Sequence, residues 1–315
     1  MDRTRCAQRL QGCYIPLPTL FREGDLELNL PAARRHVQFL LDRGVREGNA
    51  SLLVAGGAGE FYALAPDERL KLLDAVLDTA AGRVGVVLGV QSANPRETVA
   101  LAKAAARAGA AGIQASPPFY MPPSEEDAFE CLAQLADAAD VPLIFYATYW
   151  TGFRTSEAFI ERLLELPTFV AIKWAAPGVH EFERVVRLFA KRTLIIDNQL
   201  AFVQSHMLGA RAFNLHPCNY APEWGIRFWQ LLESGAYLEA QREQARVVSP
   251  YYDLHAEVSR FTSGEGHLDK LCLELIGLEG GRNRPPSRDI RPRFREAARE
   301  MLQAAGLLAR PAAVP

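Results

Sequence analysis

Cysteine is scarce in this chain, and the five present are odd in number, far apart and never spaced as CxxC. Neither a disulfide framework nor a structural zinc site is expected, so Cys6, Cys13, Cys131, Cys218 and Cys272 read as reduced thiols. Charge of one sign is also lacking. The 35 basic and 37 acidic side chains leave a formal net charge of -2, and no basic cluster is interleaved with aromatics, which argues against nucleic acid as a partner. No stretch approaches the roughly 18 uninterrupted apolar residues of a membrane span, and the opening MDRTRCAQRLQG carries charges with no apolar segment behind them. Membrane partners are excluded on this reading, and the expected address is the cytoplasm. Low complexity is confined to the tail ARPAAVP (309–315), which is expected to fray.

What is present is a sizeable apolar fraction, 49% of 315 residues, arranged in short runs. Strand-like segments recur at 13–19, 51–56, 84–90, 112–118, 142–148, 169–175, 193–198 and 211–217. Segments of helical period alternate with them at 30–43, 66–80, 95–108, 124–138, 155–165, 179–191, 199–208 and 223–234. Helix starts reinforce the register. At 122–126 and 65–69 a capping oxygen or an N1 proline precedes acidic first-turn residues. Eight strand–helix units with strands apolar on both faces predict an α/β fold, a closed (β/α)8 TIM barrel over 12–235. A doubly wound open sheet is the alternative. Beyond 236 the pattern is helical without strands, which predicts a C-terminal helical appendage over 236–310.

In such a barrel, chemistry sits at the C-terminal ends of the strands. Lys173 stands out there, in the middle of FVAIKWAA (169–176), where an ammonium has no water to solvate it. Three explanations are open: a neutral nucleophile, an ion pair with Asp197 on the next strand, or a side chain that snorkels to the strand end. Lys71, Lys103, Lys191 and Lys270 all fall in helical stretches and are expected on solvated faces. GGAGE (56–60) ends strand two with glycines that expose consecutive backbone N–H groups, a cradle for an anion. Tyr146 closes strand five, where a phenol could relay protons. His216 is expected to be a hydrogen-bonded core group, and His36, His180, His206, His255 and His267 to be surface or packing residues. No metal site is expected, because only Asp197 and His216 qualify as ligands at the strand ends.

GxxGE after strand two, PPFY (117–120) after strand four, a tyrosine ending strand five and IK on strand six occur in that order. The combination resembles the dihydrodipicolinate synthase and N-acetylneuraminate lyase family of class I Schiff-base aldolases, over nearly the whole chain. The resemblance implies that Lys173 forms the Schiff base, that Tyr146 shuttles protons, and that Tyr120 reaches in from a neighbouring subunit of a homodimer or homotetramer. It implies that the backbone around Gly57 and Ala58 holds the carboxylate of a 2-oxo acid, with Glu60 holding the loop, and that no cofactor is needed. The departures matter as much. Serine or threonine usually stands at 57 and 58, and both hydroxyls are missing; Thr148 or Thr151 could replace one. The synthases' arginine is absent from 146–152, and Asp197 and Asn214 add polar groups near the keto acid. A dihydrodipicolinate synthase is therefore not expected. The expected function is a lyase acting on pyruvate or another 2-oxo acid by aldol cleavage or condensation. The alternatives are dehydration of a sugar-derived 2-keto-3-deoxy acid by the same lysine, a non-catalytic 2-oxo acid binding relative, and, last, a metal-dependent hydrolase.

Overall fold

The computed structural model describes residues 1–308; the tail 309–315 expected to fray lies outside the described residues. Eight parallel strands close into a barrel in sequence order, β1 (Gly12–Pro16), β2 (Ala50–Val54), β3 (Gly85–Gly89), β4 (Gly112–Ala115), β5 (Leu143–Thr148), β6 (Phe169–Ala175), β7 (Leu194–Asp197) and β8 (Ala212–Asn214). The β1–β8 pairing, with Cys13 opposite Phe213, makes the closure.

One helix precedes the barrel, α1 (Arg3–Gln8), and eight surround it: α2 (Leu30–Asp42), α3 (Pro66–Ala80), α4 (Pro95–Ala108), α5 (Glu125–Ala138), α6 (Glu157–Leu163), α7 (Val179–Phe189), α8 (Phe202–Met207) and α9 (Pro222–Glu233). Their starts follow local chemistry. Ser124 Oγ accepts from the Asp127 N–H while the Asp127 carboxylate accepts from the Ser124 N–H, a reciprocal cap on α5, and Glu68 reaches back to the Ala65 N–H ahead of Pro66 on α3. Strand alternation then divides the apolar residues between two cores. Outward residues such as Ile172 and Trp174 pack under the helices, whereas Tyr14, Leu53, Val87, Ile144, Leu194 and Ile196 fill the barrel interior.

Two local expectations are corrected, and one element is added. The last strand is shorter than 211–217, because the chain leaves the sheet at Asn214 and turns through a 3-10 segment at His216–Asn219. The helix at 199–208 starts only at Phe202, after a turn that Asp197 caps. The N-terminus, for which the sequence suggests no element, folds as α1, whose Cys6 and Ala7 pack with Leu10 against the interior core and cover the far end of the barrel. Six residues are too few for a periodic signal.

The appendage comprises α10 (Tyr237–Glu243), α11 (Ser249–Phe261), α12 (His267–Leu275) and α13 (Arg291–Ala304), with a π-helical turn at Gln244–Val248 joining the first two. It is anchored on the strand-two loop. Lys270 of α12, expected on a solvated face, is fully buried with its Nζ on Glu60 Oε1, and both side chains are 0% exposed. The Glu60 Oε2 accepts the Arg284 N–H at 3.0 Å. Period alone puts Lys270 on a helix; only the docking of α12 over the barrel rim decides that its face is covered. We propose 12–235 and 236–310 as the two parts of the chain, the second resting on the first.

Candidate active site

The C-terminal ends of the strands open into a cavity of ≈ 420 Å³ with Lys173 on its wall, alongside Tyr146, Asn214, Gly57, Ala58 and Glu265. A roomier cleft of ≈ 600 Å³ lies between α1 and the opposite ends of β6 and β7, with Arg3, Lys191, Arg192 and Arg211 around it. Strand ends of that polarity serve stability rather than catalysis in this architecture, so the smaller cavity is the candidate site.

Lys173 faces inward from the middle of β6. Its Nζ donates to Asn214 Oδ1 at 3.0 Å and stands 5.1 Å from the Tyr146 ring centre and 5.4 Å from that of Tyr14. Burial pushes the ammonium down from 10.5 to about 8, against the opposing pull of the Glu265 carboxylate. Tyr14 supports this floor, its buried hydroxyl donating to Gln114 Oε1 at 3.1 Å. Tyr146 lies on β5 directly across from Lys173 in the strand register. Burial raises its phenol well above the ordinary range, the Glu265 charge adds to that, and the approach of Trp150 and Asn198 works the other way.

Asp197 does not partner the lysine. In the β6–β7 register it pairs with Trp174, not Lys173, so its side chain leaves the barrel on the outer face. There Oδ2 accepts from Ser205 Oγ at 2.6 Å and Oδ1 accepts the Gln199 N–H at 2.6 Å. Burial lifts this carboxyl to about 6, with those hydrogen bonds opposing. Its work is to fasten the turn before α8, and its expected contact with substrate is corrected. Thr148 is buried and does not line the cavity, and Thr151 spends its hydroxyl on the Thr148 carbonyl at 2.9 Å. Neither threonine restores the hydroxyls missing at 57 and 58. Tyr120 is 84% exposed and contributes nothing to the cavity of its own chain.

The strand-two loop supplies the floor opposite. Glu60 sits in left-handed backbone at φ 54, held by Lys270 and the Arg284 N–H, which fixes the curl that precedes it. The loop carbonyls of Gly56 and Gly57 accept from Phe61 and Glu60, while the N–H groups of Gly57 and Ala58 donate to nothing among the described residues. A pair of unspent donors beside a buried amine fits a carboxylate.

His216 joins the site from the turn after β8. Its Nδ1 lies 2.8 Å from Asp269 Oδ2 and 3.2 Å from the Tyr251 hydroxyl, and its ring stacks on Tyr251. Burial opposes its charged form, but the Asp269 carboxylate, with Glu265 adding to it, raises it on balance. The expected core bonding is present, yet the ring also borders the cavity. Among the lining residues that the sequence does not reveal are Gln114 inside β4, and Tyr252, His255 and Glu265 from the appendage. His255, expected at the surface or in packing, is corrected to the cavity wall. Glu265 carried a signal that could have been used, since it lies between Gly264 and Gly266, whose φ of +94° and +80° turn the chain sharply over the strand-two loop. Among the described residues no three of His, Cys, Asp and Glu are grouped to hold a metal ion, and no helix is long and apolar enough to cross a membrane.

Known proteins are similar to this chain over most of its length. A 4-hydroxy-tetrahydrodipicolinate synthase of Afipia carboxidovorans is 28% identical over 308 residues, covering 95% of this chain and 98% of its own. A protein named as a probable 5-dehydro-4-deoxyglucarate dehydratase of Streptomyces avermitilis is 30% identical over 275 residues, covering 83% of both chains. The crystal structure of dihydrodipicolinate synthase from Oceanobacillus iheyensis superposes with a TM-score of 0.85 at 24% identity, over 97% of this chain and 99% of the other. The model of the dihydrodipicolinate synthetase family matches residues 10–305, and with the barrel and its buried lysine already in place the conclusion is that this chain belongs to that family of lyases.

Proposed function

We propose that the chain is a Schiff-base lyase that acts on pyruvate or a 2-oxo acid built on it. The observation that carries the reading is Lys173: a buried amine, lowered to about 8, facing a cavity and bonded to an amide oxygen instead of a carboxylate. A neutral amine attacks the C2 carbonyl, water leaves, and the protonated imine draws electrons from C3. Cleavage of the C3–C4 bond of a 4-hydroxy substrate then yields an aldehyde and an enamine. Loss of the C4 hydroxyl instead gives dehydration. On this reading Tyr146, across from Lys173, moves the accompanying proton, and the N–H groups of Gly57 and Ala58, which donate to nothing among the described residues, hold the substrate carboxylate.

Relatives named as a synthase and as a probable dehydratase support both outcomes. The cavity favours a substrate with a single carboxylate. Among the described residues Lys173 is the only lysine that lines it and no arginine does, and Glu265 adds a negative charge, so a second anionic group finds no further lysine or arginine there. Asn198, Gln199 and His255 offer hydrogen bonds to hydroxyls, and Tyr149 with Trp150 forms an aromatic rim.

Incubation with pyruvate and borohydride, followed by intact-mass and peptide analysis, tests the reading. A reduced adduct on Lys173 is the expected result; no adduct with pyruvate or with larger 2-oxo acids would leave a barrel that only binds. Tyr120 enters this scheme through assembly alone. As an exposed ring beside exposed Met121 it is proposed to pack against a second copy in a homodimer or homotetramer. Sedimentation should show the assembly, and Tyr120→Phe should slow turnover. A monomer of full activity at all concentrations removes Tyr120 from the mechanism.

A further inference from the structure

The missing hydroxyl at 57 and the unanticipated Glu265 are one exchange. A Cβ built on Gly57 would meet Glu265 Oε2 at 2.4 Å, so the carboxylate occupies the space that a serine or threonine side chain would need. The fit is held from both sides. Gly266 lies so close to the loop that its own Cβ would stand 2.2 Å from the Ala58 carbonyl oxygen, and the Asn283 amide clamps the Glu265 backbone carbonyl at 2.7 Å. The half-buried carboxylate itself makes no ion pair among the described residues, although it borders the cavity. Its charge bears on Lys173, Tyr146, His216, Tyr252, His255 and Tyr62.

Resting on the Schiff-base reading, we infer that Glu265 is a proton-relay residue that takes the place of the hydroxyl lost at position 57 and acts through Tyr146, accepting the phenol's proton as Tyr146 takes the substrate's. A buried phenol that stays protonated is a poor base by itself, and needs a group to which its proton can pass. In the pyruvate imine the C3–H bond breaks and its electron pair forms the C2=C3 double bond. The C2=N pair returns to nitrogen, giving the enamine. The C3 proton goes to the Tyr146 oxygen as the phenol's own proton moves to the Glu265 carboxylate, and the reverse transfer restores pyruvate imine.

That cycle is read without knowing the natural substrate, because the methyl protons of pyruvate exchange with deuterium in heavy water each time the enamine forms. Proton NMR of pyruvate follows the exchange, and borohydride trapping of the same samples follows the imine. Glu265→Gln is expected to slow exchange about 100-fold while the trapped adduct forms as in the wild type. Gly57→Ala, which crowds the carboxylate without removing it, is expected to slow exchange in the same way, and Gly57→Ser combined with Glu265→Gln to recover part of the rate. Exchange by Glu265→Gln within about threefold of the wild type, with the adduct intact, overturns the assignment. So does loss of the adduct in that variant alone, which would make Glu265 a binding or structural group. No adduct in the wild type is a different failure, that of the Schiff-base reading itself.

Discussion

Lys173→Met should reduce imine formation to background and, at neutral pH, make the protein more stable. Both results follow from the same burial. The lysine is 5% exposed, and its Nζ has one hydrogen-bond partner, Asn214 Oδ1, among the described residues. The fall from 10.5 to about 8 is led by desolvation, which means that the folded state holds the proton less tightly than the unfolded chain. The sign is therefore that of a cost. It is present in full below about pH 8 and disappears as pH rises through 10.5, the interval over which the unfolded chain binds more protons than the folded one. A shift of this size corresponds to about 3 kcal/mol at pH 7. The orphaned Asn214 amide returns part of it, about 1 kcal/mol. Thermal melts at pH 7 and pH 10.5 measure the difference: Lys173→Met should melt several degrees above the wild type at pH 7, with the gap narrowing at the higher pH. A structural ion pair would behave oppositely, because a lost partner leaves a buried charge. A clear drop in midpoint at pH 7 would sink the idea that this lysine is kept for chemistry at a cost in stability. The same equilibrium makes the rate of adduct formation climb with pH and level off above about 8.

The second large effect is expected far from the reacting atoms. Lys270→Met should destabilise the protein by about 3–5 kcal/mol, since it strands the Glu60 carboxylate in a site closed to water. Burial already pushes Glu60 up and Lys270 down, and their mutual attraction is what opposes both shifts. Further contacts depend on the pair. Lys270 Nζ reaches the Arg282 carbonyl at 3.3 Å and lies over the Phe21 ring, and Arg284 bonds Glu68 while its N–H bonds Glu60. Replacing both members, Glu60→Met with Lys270→Met, should cost less than the lysine change alone, because no charge is left unpaired. Chemical denaturation of the single and double variants gives the coupling directly. Single-variant losses below about 1 kcal/mol would mean that water reaches the pair and that the loop does not depend on it.

Much of the site was legible for a local reason. An ammonium between valine, isoleucine and tryptophan violates the solvation rule for buried strands, and a violation of that kind is visible in eight letters. GGAGE, which alone is most often only a turn, was legible because PPFY, the strand-five tyrosine and IK follow it in order. Asp197 was misjudged because a strand position states how far along the sheet a residue lies, and the face follows from register: Asp197 points outward and the residue just before it, Ile196, inward. Lys270 was misjudged because amphipathic period distinguishes two faces without saying whether the polar one meets water or another chain segment.

The sequence by itself determined the eight strand–helix units, the end of the barrel where chemistry belongs, and the lysine that stands there, since each depends on periodicity or on a residue in conflict with its neighbours. Only the tertiary structure decided what surrounds that lysine. Asn214 reaches it across 41 positions, Lys270 reaches Glu60 across 210, and Glu265 is swung over Gly57 from the appendage. Pairings at such separations are selected by barrel closure and the docking of α12, when burial forces each polar group to find a partner, and no local pattern encodes which one it finds.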